Sequence, residues 1–280
     1  MNLQKEIKNL FLNQLNNWAQ FPDVIEQLNR VKLKQIKWDD STYVNVYFNS
    51  ARITSTTANT DKKHLSESPC YLCEGNRPNE QLSISFLKKY VILCNPFPVL
   101  KNHLTIALHS HVPQRIRNKI KDMLTLAEEL DDYIIFYDGS KCGASAPNHF
   151  HFQAGLKSDV LMQGDNSLRS CMTISCEDRD EALELFEEVY QYLSSLQPNE
   201  EEPILNVISY YENDIYNINI FPRKQHRPNQ YYSEGDDKIL ISPGALDMAG
   251  LIITVREEDF NKIDKSDIED IYNQVSLPIF

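Results

Sequence analysis

An α+β fold of two related halves, each with an antiparallel sheet and packing helices, is what this sequence predicts. Residues 90–153 run strand, strand, helix, strand, and residues 204–275 loosely repeat that order. The composition agrees: 280 residues, 41% hydrophobic and 24% charged, are ordinary for a globular chain with a sizeable core. We place the halves at residues 1–175 and 176–280. A net charge of −12 argues against a nucleic-acid polymer as partner, because such binding draws on clustered Lys and Arg. A small anionic substrate is compatible with it wherever basic residues converge locally.

Along the chain, Leu3, Ile7, Leu10, Phe11, Leu15 and Trp18 recur at three and four residues, the stripe of an amphipathic helix ended by Phe21-Pro22. Lys5, Glu6 and Lys8 interrupt this segment, so no signal peptide or membrane span is expected there, and we expect a cytoplasmic protein. Tyr43–Phe48 is a strand, and Asn49–Thr57 is expected to continue it into a loop carrying Arg52. After a polar connection, Cys70-Tyr71-Leu72-Cys73-Glu74-Gly75-Asn76-Arg77 has the form of a zinc knuckle, in which a tight turn aims two thiolates at one ion. A redox CxxC would open a helix, and Gly75 with Arg77-Pro78 opens one poorly. Two more ligands must come from histidines at 64, 103, 109, 111, 149, 151 and 226.

Tyr90–Leu93 and His103–Leu108 are expected to pair across the Pro-punctuated segment 95–102. Pro113 is expected to open a helix with the stripe Ile116, Ile120, Met123, Leu124, Ala127 and Leu130. A buried strand at Tyr133–Tyr137 leads to the small-residue loop 138–147, where Ser145 and the backbone could approach a phosphate. Then comes His149-Phe150-His151-Phe152-Gln153. As a strand it puts His149, His151 and Gln153 on one face and both phenylalanines on the other. Such a face can hold a metal, supply a nucleophile, or do both at adjacent positions.

Beyond a polar stretch reaching Arg169, Cys171–Ser175 is a short strand, and Asp178 with Glu181 caps a helix with the stripe Ala182, Leu185, Phe186, Val189, Leu193 and Leu196. A hairpin across residues 212–214 precedes Arg223, Lys224, His226 and Arg227, a basic cluster suited to phosphate. Ile239–Ile241, Leu251–Val255 and a helix capped by Ser266 with Glu269 close the chain.

Taken together, Cys70 to Asn76, Asn95-Pro96-Phe97, His103 to His111, His149 to Gln153 and Pro243 to Gly250 resemble one known group. It is the branch of the histidine-triad (HIT-like) superfamily that contains galactose-1-phosphate uridylyltransferase and the nucleotide-sugar and diadenosine-polyphosphate phosphorylases. The resemblance implies a HIT-like fold and a structural zinc on Cys70, Cys73, His111 and His149, with His109 as the competitor for His111. It implies His151 as nucleophile and puts Gln153 where hydrolases of the superfamily carry a third histidine. Asn76 and Asn95 match base or ribose contacts, Arg52 falls near a phosphate-contacting arginine, and Arg77, Ser145, Arg223 and Lys224 complete the expected substrate-binding set. The implied activity is transfer of a nucleoside monophosphate, through a histidine-bound intermediate, between a nucleoside diphosphate sugar or dinucleoside polyphosphate and phosphate or a sugar phosphate. A hydrolase of the same superfamily, or a zinc-stabilised nucleotide-binding protein without catalysis, is the alternative. An amide at 153 cannot protonate a leaving group, so it favours leaving groups that depart as phosphates.

Overall fold

The computed structural model describes residues 2–40, 42–58, 68–160 and 169–279. His64, and most of the two polar connections expected at 58–69 and before Arg169, lie outside the described residues.

The apolar stripe at the N-terminus forms helix α1 (Leu3–Asn17), whose first turn is capped by the Asn2 side chain. Phe21-Pro22 does more than end it. Pro22 sits in the first turn of a second helix, α2 (Phe21–Asn29), where a missing N–H costs nothing. Strands β1 (Lys32–Lys37) and β2 (Tyr43–Phe48) form an antiparallel pair. The chain then turns helical over 50–56 instead of continuing as strand. Next come β3 (Ser83–Phe86), β4 (Tyr90–Cys94) and β5 (Leu104–Leu108), with β4 and β5 paired as expected.

Pro113 does not open the following helix. Residues 111–116 are irregular, and α3 (Ile120–Glu129) begins only after a 3-10 turn at Arg117–Lys119. Strands β6 (Tyr133–Asp138), β7 (His151–Leu156) and β8 (Met172–Cys176) precede α4 (Arg179–Leu196), which Asp178 caps by accepting from the Glu181 N–H. The hairpin of β9 (Leu205–Glu212) and β10 (Ile215–Pro222) turns on Asn213 and Asp214, both at positive φ (51° and 62°), the conformation that two-residue hairpins demand. Ile239–Ile241 forms no strand; β11 (Leu251–Thr254) does. The final helix, α5 (Lys265–Val275), is capped reciprocally by Asp264 and Asp267 rather than by Ser266 and Glu269.

Eight strands make one sheet in the order β3-β4-β5-β7-β6-β9-β10-β8, with antiparallel neighbours throughout. Strand β11 leaves it and pairs in parallel with β2, making a small sheet β1-β2-β11. One face of the large sheet packs Phe150, Phe152, Ala154, Ile135 and Tyr137 against α1, α3 and α4. The other packs Ile134, Phe136 and Ile208 against α5 and the small sheet. Period-two alternation therefore turns His151, Gln153 and Gly155 of β7 toward the second layer, where the site lies. Gly155 is required there, because a Cβ would come 2.7 Å from the Leu100 Cβ. Gly155→Ala is expected to lower stability by about 1–3 kcal/mol, read from the denaturation midpoint; an unchanged midpoint would show that Leu100 yields freely.

A half-buried carboxyl joins two elements on the helical side. Glu202 accepts from the Tyr137 hydroxyl (2.5 Å) and the Ile116 N–H (2.7 Å), and burial pushes it from 4.5 up to about 7. The folded chain then holds a proton that the unfolded chain has lost, so stability falls as pH rises from about 4.5 to about 7. Glu202→Gln is expected to flatten that fall in urea titrations between pH 5 and 7, and equal slopes would contradict it. Among the described residues, no helix is long and apolar enough to cross a membrane.

Candidate active site and metal centre

The knuckle folds as a tight turn. The Cys73 N–H bonds the Cys70 carbonyl at 3.1 Å, and the Asn76 amide donates to the same oxygen at 2.9 Å. Both thiols therefore leave the turn on one side. His111, just beyond β5, and His149, just before β7, meet them there. Cys70 Sγ lies 3.3 Å from His149 Nδ1; Cys73 Sγ lies 3.2 Å from His111 Nδ1 and 3.6 Å from His149 Nδ1. The four ligand atoms all fall within 4.8 Å of one another. Tetrahedral zinc at its usual bond lengths separates S and N ligands by about 3.5 Å, so the quartet fits such an ion. His149 Nε2 donates to the Leu108 carbonyl at 2.8 Å, which fixes its tautomer and aims the Nδ1 lone pair at the thiols. Burial pushes the Cys70 thiol up, so binding a metal must displace its proton. The cluster takes His111, while His109 is exposed and stands apart from it.

His151 follows within two residues. Its Nδ1 is 2.9 Å from the His149 carbonyl oxygen, which can only accept. Nδ1 therefore carries the proton and Nε2 the lone pair. Burial depresses the imidazole to about 4, so the ring is neutral near pH 7, and it is 3% exposed.

Gln153 is held at both ends. The Val99 N–H donates to His103 Nδ1 (3.0 Å), leaving the proton of that imidazole on Nε2, which donates to Gln153 Oε1 (3.0 Å). The amide nitrogen of Gln153 must then face away, and it donates to Asp138 at 3.1 Å. Burial pushes His103 down to about 3 and raises the Asp138 carboxyl. Asp138 also accepts from the Asn206 amide (2.9 Å) and the Ala245 N–H (2.6 Å), while Gly143 and Gly244 close over it. A Cβ on Gly244 would reach Asp138 Oδ1 at 2.8 Å, so the glycine is what lets the 243–250 segment approach.

Beside this chain of polar groups opens a cleft. Its walls include Arg52, Ser145, Gln153, Asp138, His226 and Arg227. Three of the substrate-binding and catalytic residues expected from sequence thus meet here: Arg52, Ser145 and Gln153. His151 is one strand period from Gln153 and does not itself line the cleft. Arg223 lies elsewhere; it is fully buried and spends its guanidinium on Asn206 and on the carbonyls of Pro243, Val275, Gln225 and His226. Lys224 is exposed outside the cleft. Asn95 turns inward to Thr105 and the Phe97 N–H, stiffening the 95–102 turn. Asn76 and Arg77 stay with the knuckle.

The members of the basic cluster that reach the cleft are His226 and Arg227. Arg227 bonds Ser242 (3.1 Å) and the carbonyls of Thr56 and Ala58, and Ser242 is 2.8 Å from His226 Nε2. Sequence reading missed Asp138, which looks like an ordinary turn residue before Gly139, and Asn206, hidden inside an apolar strand. Neither carries a local signal of its role.

Comparison with known proteins adds the following. The family model described as Domain of unknown function (DUF4922) matches residues 10–156. No curated protein matches the sequence. Crystal structures of yeast Ap4A phosphorylase Apa2 share the fold. The complex with Ap4A aligns at a TM-score of 0.68 with 16% identity, covering 99% of this chain and 98% of that one. The complex with AMP aligns at 0.64 with 17% identity, covering 99% and 97%, and a further Apa2 structure aligns at 0.61 with 14% identity, covering 93% and 98%. At these identities the likeness is one of fold, and it bears out the α+β, HIT-like architecture.

Proposed function

We propose that this chain, which belongs to the DUF4922 family, transfers a nucleoside monophosphate to phosphate or a sugar phosphate from a dinucleoside polyphosphate or a nucleoside diphosphate sugar. The observation that carries this reading is the locked tautomer of His151, with Nδ1–H on the His149 carbonyl and the lone pair therefore on Nε2. The fold shared with an Ap4A phosphorylase makes dinucleoside polyphosphates the first donors to try.

In the first step Nε2 of His151 attacks the α-phosphorus and a P–N bond forms as the P–O bond to the leaving phosphate breaks. The positive charge gained by the ring is shared with the His149 carbonyl through Nδ1–H. In the second step an oxygen of the acceptor phosphate attacks the same phosphorus and Nε2 leaves. Gln153, oriented by His103 and Asp138, has one amide hydrogen left for a nonbridging oxygen and no acid proton to give. Departure as a phosphate needs none. Arg52 and Arg227 supply positive charge along the cleft for the remaining phosphates.

Cys70, Cys73, His111 and His149 would hold zinc, which with four protein ligands has no open position and serves as a clamp. The clamp fixes the strand two residues before the nucleophile. Thiols kept free for a metal suit a reducing compartment such as the cytoplasm.

The test is product analysis with and without phosphate. With a dinucleoside tetraphosphate, a nucleoside diphosphate is expected only when phosphate is present. Equal turnover without phosphate would make the protein a hydrolase, and saturable nucleotide binding without any turnover would make it a binding protein.

A further inference from the structure

The ladder between β6 and β7 stops early. Its register runs Tyr133↔Leu156 to Phe136↔Gln153, and one more pair of steps would set Asp138 opposite His151. At that point a side chain from outside both strands has entered. Gln114, from the irregular segment where a helix start was expected, is 1% exposed and fills the gap. Its Oε1 accepts from the His151 N–H at 2.8 Å. Its Nε2 donates to the His151 carbonyl at 2.8 Å and to the Asp138 carbonyl at 3.0 Å.

Both amide hydrogens and the carbonyl are thus committed, and the amide cannot be reversed without placing its oxygen against two carbonyls. Gln114 behaves as a peptide group without a strand, bonding both backbone groups of the one residue whose ring must be aimed. Its own N–H bonds the Pro147 carbonyl (3.1 Å), and Val112 accepts from the Phe150 N–H (2.7 Å), so the wedge is itself anchored on the segment leading to His151.

We infer that Gln114 is a positioning residue, which sets the His151 backbone, and so the direction of Nε2, by holding β7 off β6 at the end of their ladder. The inference rests on the nucleotidyl-transfer reading only for its kinetic consequence. An ordinary β-ladder at this point would bond the carbonyls of Asp138 and His151 each to the other residue's N–H. The amide keeps them bridged by one NH2 group, with the Asp138 carboxylate free to hold Gln153.

Two variants test it. Gln114→Met keeps the volume and removes all three bonds, while Gln114→Asn keeps the amide on a stem one methylene too short. In both, kcat for phosphorolysis of a dinucleoside tetraphosphate is expected to fall on the order of 10²-fold with KM changed less than about threefold, as misplacement of a reacting group does. Bound zinc should stay at the wild-type ratio. A kcat within twofold of wild type, or a loss that merely follows lost zinc or lost folded fraction, overturns the inference.

A second readout needs no turnover. Imidazole 15N spectra, with the His151 signal assigned by its absence from His151→Asn, should show a pure Nδ1–H tautomer in the wild type and a mixture in the variants. An unchanged tautomer in both variants, or an Nε2–H form in the wild type, overturns the inference even if neither variant folds well. Wild-type protein with no turnover but the expected tautomer pattern would sink the functional reading and leave the positioning role standing.

Discussion

Replacing His151 by asparagine is expected to abolish turnover, by on the order of 10⁴-fold or more in kcat, while leaving a folded protein. The asymmetry comes from the two ends of the ring. Nδ1 makes a hydrogen bond to the His149 carbonyl, which the asparagine NH2 can reproduce. Nε2 carries the lone pair that attacks phosphorus, and asparagine has nothing to put there. The variant should keep its zinc and melt within about 4 °C of wild type, since one exchanged buried hydrogen bond is worth about 1 kcal/mol. Turnover within tenfold of wild type would remove His151 as the nucleophile. A collapse in melting temperature would mean that the ring is needed for packing instead.

Loss of a thiolate from the knuckle should act in the opposite order, on the fold first. Cys70→Ser leaves three of the four ligands and lowers metal affinity steeply. Structural zinc supplies on the order of 10 kcal/mol of folding free energy, against net stabilities of about 5–15 kcal/mol for whole proteins. The variant is expected to lose bound zinc and to melt at least about 10 °C below wild type, with activity lost in the same proportion. Elemental analysis together with thermal denaturation checks this. Wild-type protein purified without zinc, or a variant that melts with the wild type, would remove the clamp. The substitution reaches His151 through His149, whose Nε2 is tied to the Leu108 carbonyl and whose own carbonyl holds the His151 ring.

The parts of this arrangement legible in the sequence are those with a local period or a local turn. The α1, α3 and α4 stripes, the 205–222 hairpin and the alternation at 150–154 are readable because burial repeats at 3.6 or at two residues. The knuckle is readable because two cysteines and a glycine fall within six positions. Its partners His111 and His149 come together as the resemblance implied.

What could not be read is which distant segments meet. Strand β11 shows its apolar character but not that it will pair in parallel with β2, some two hundred residues away. Arg223 and Arg227 look alike in a basic run. A shift of four residues at the end of β10 buries the first among carbonyls and brings the second to the cleft wall. Pro113 has the look of a helix start, yet the next residue, Gln114, has a stronger use between two strands than in a first helical turn. Tertiary hydrogen bonds won there over local preference.

The claim on which the rest depends is that a nucleotide rides on His151. Rapid mixing of the protein with a dinucleoside tetraphosphate in the absence of phosphate, an alkaline quench and peptide mass mapping measure it directly. The account predicts one nucleoside monophosphate on the peptide carrying His151, discharged when phosphate is added; turnover with no adduct, or an adduct on any other residue, would contradict it.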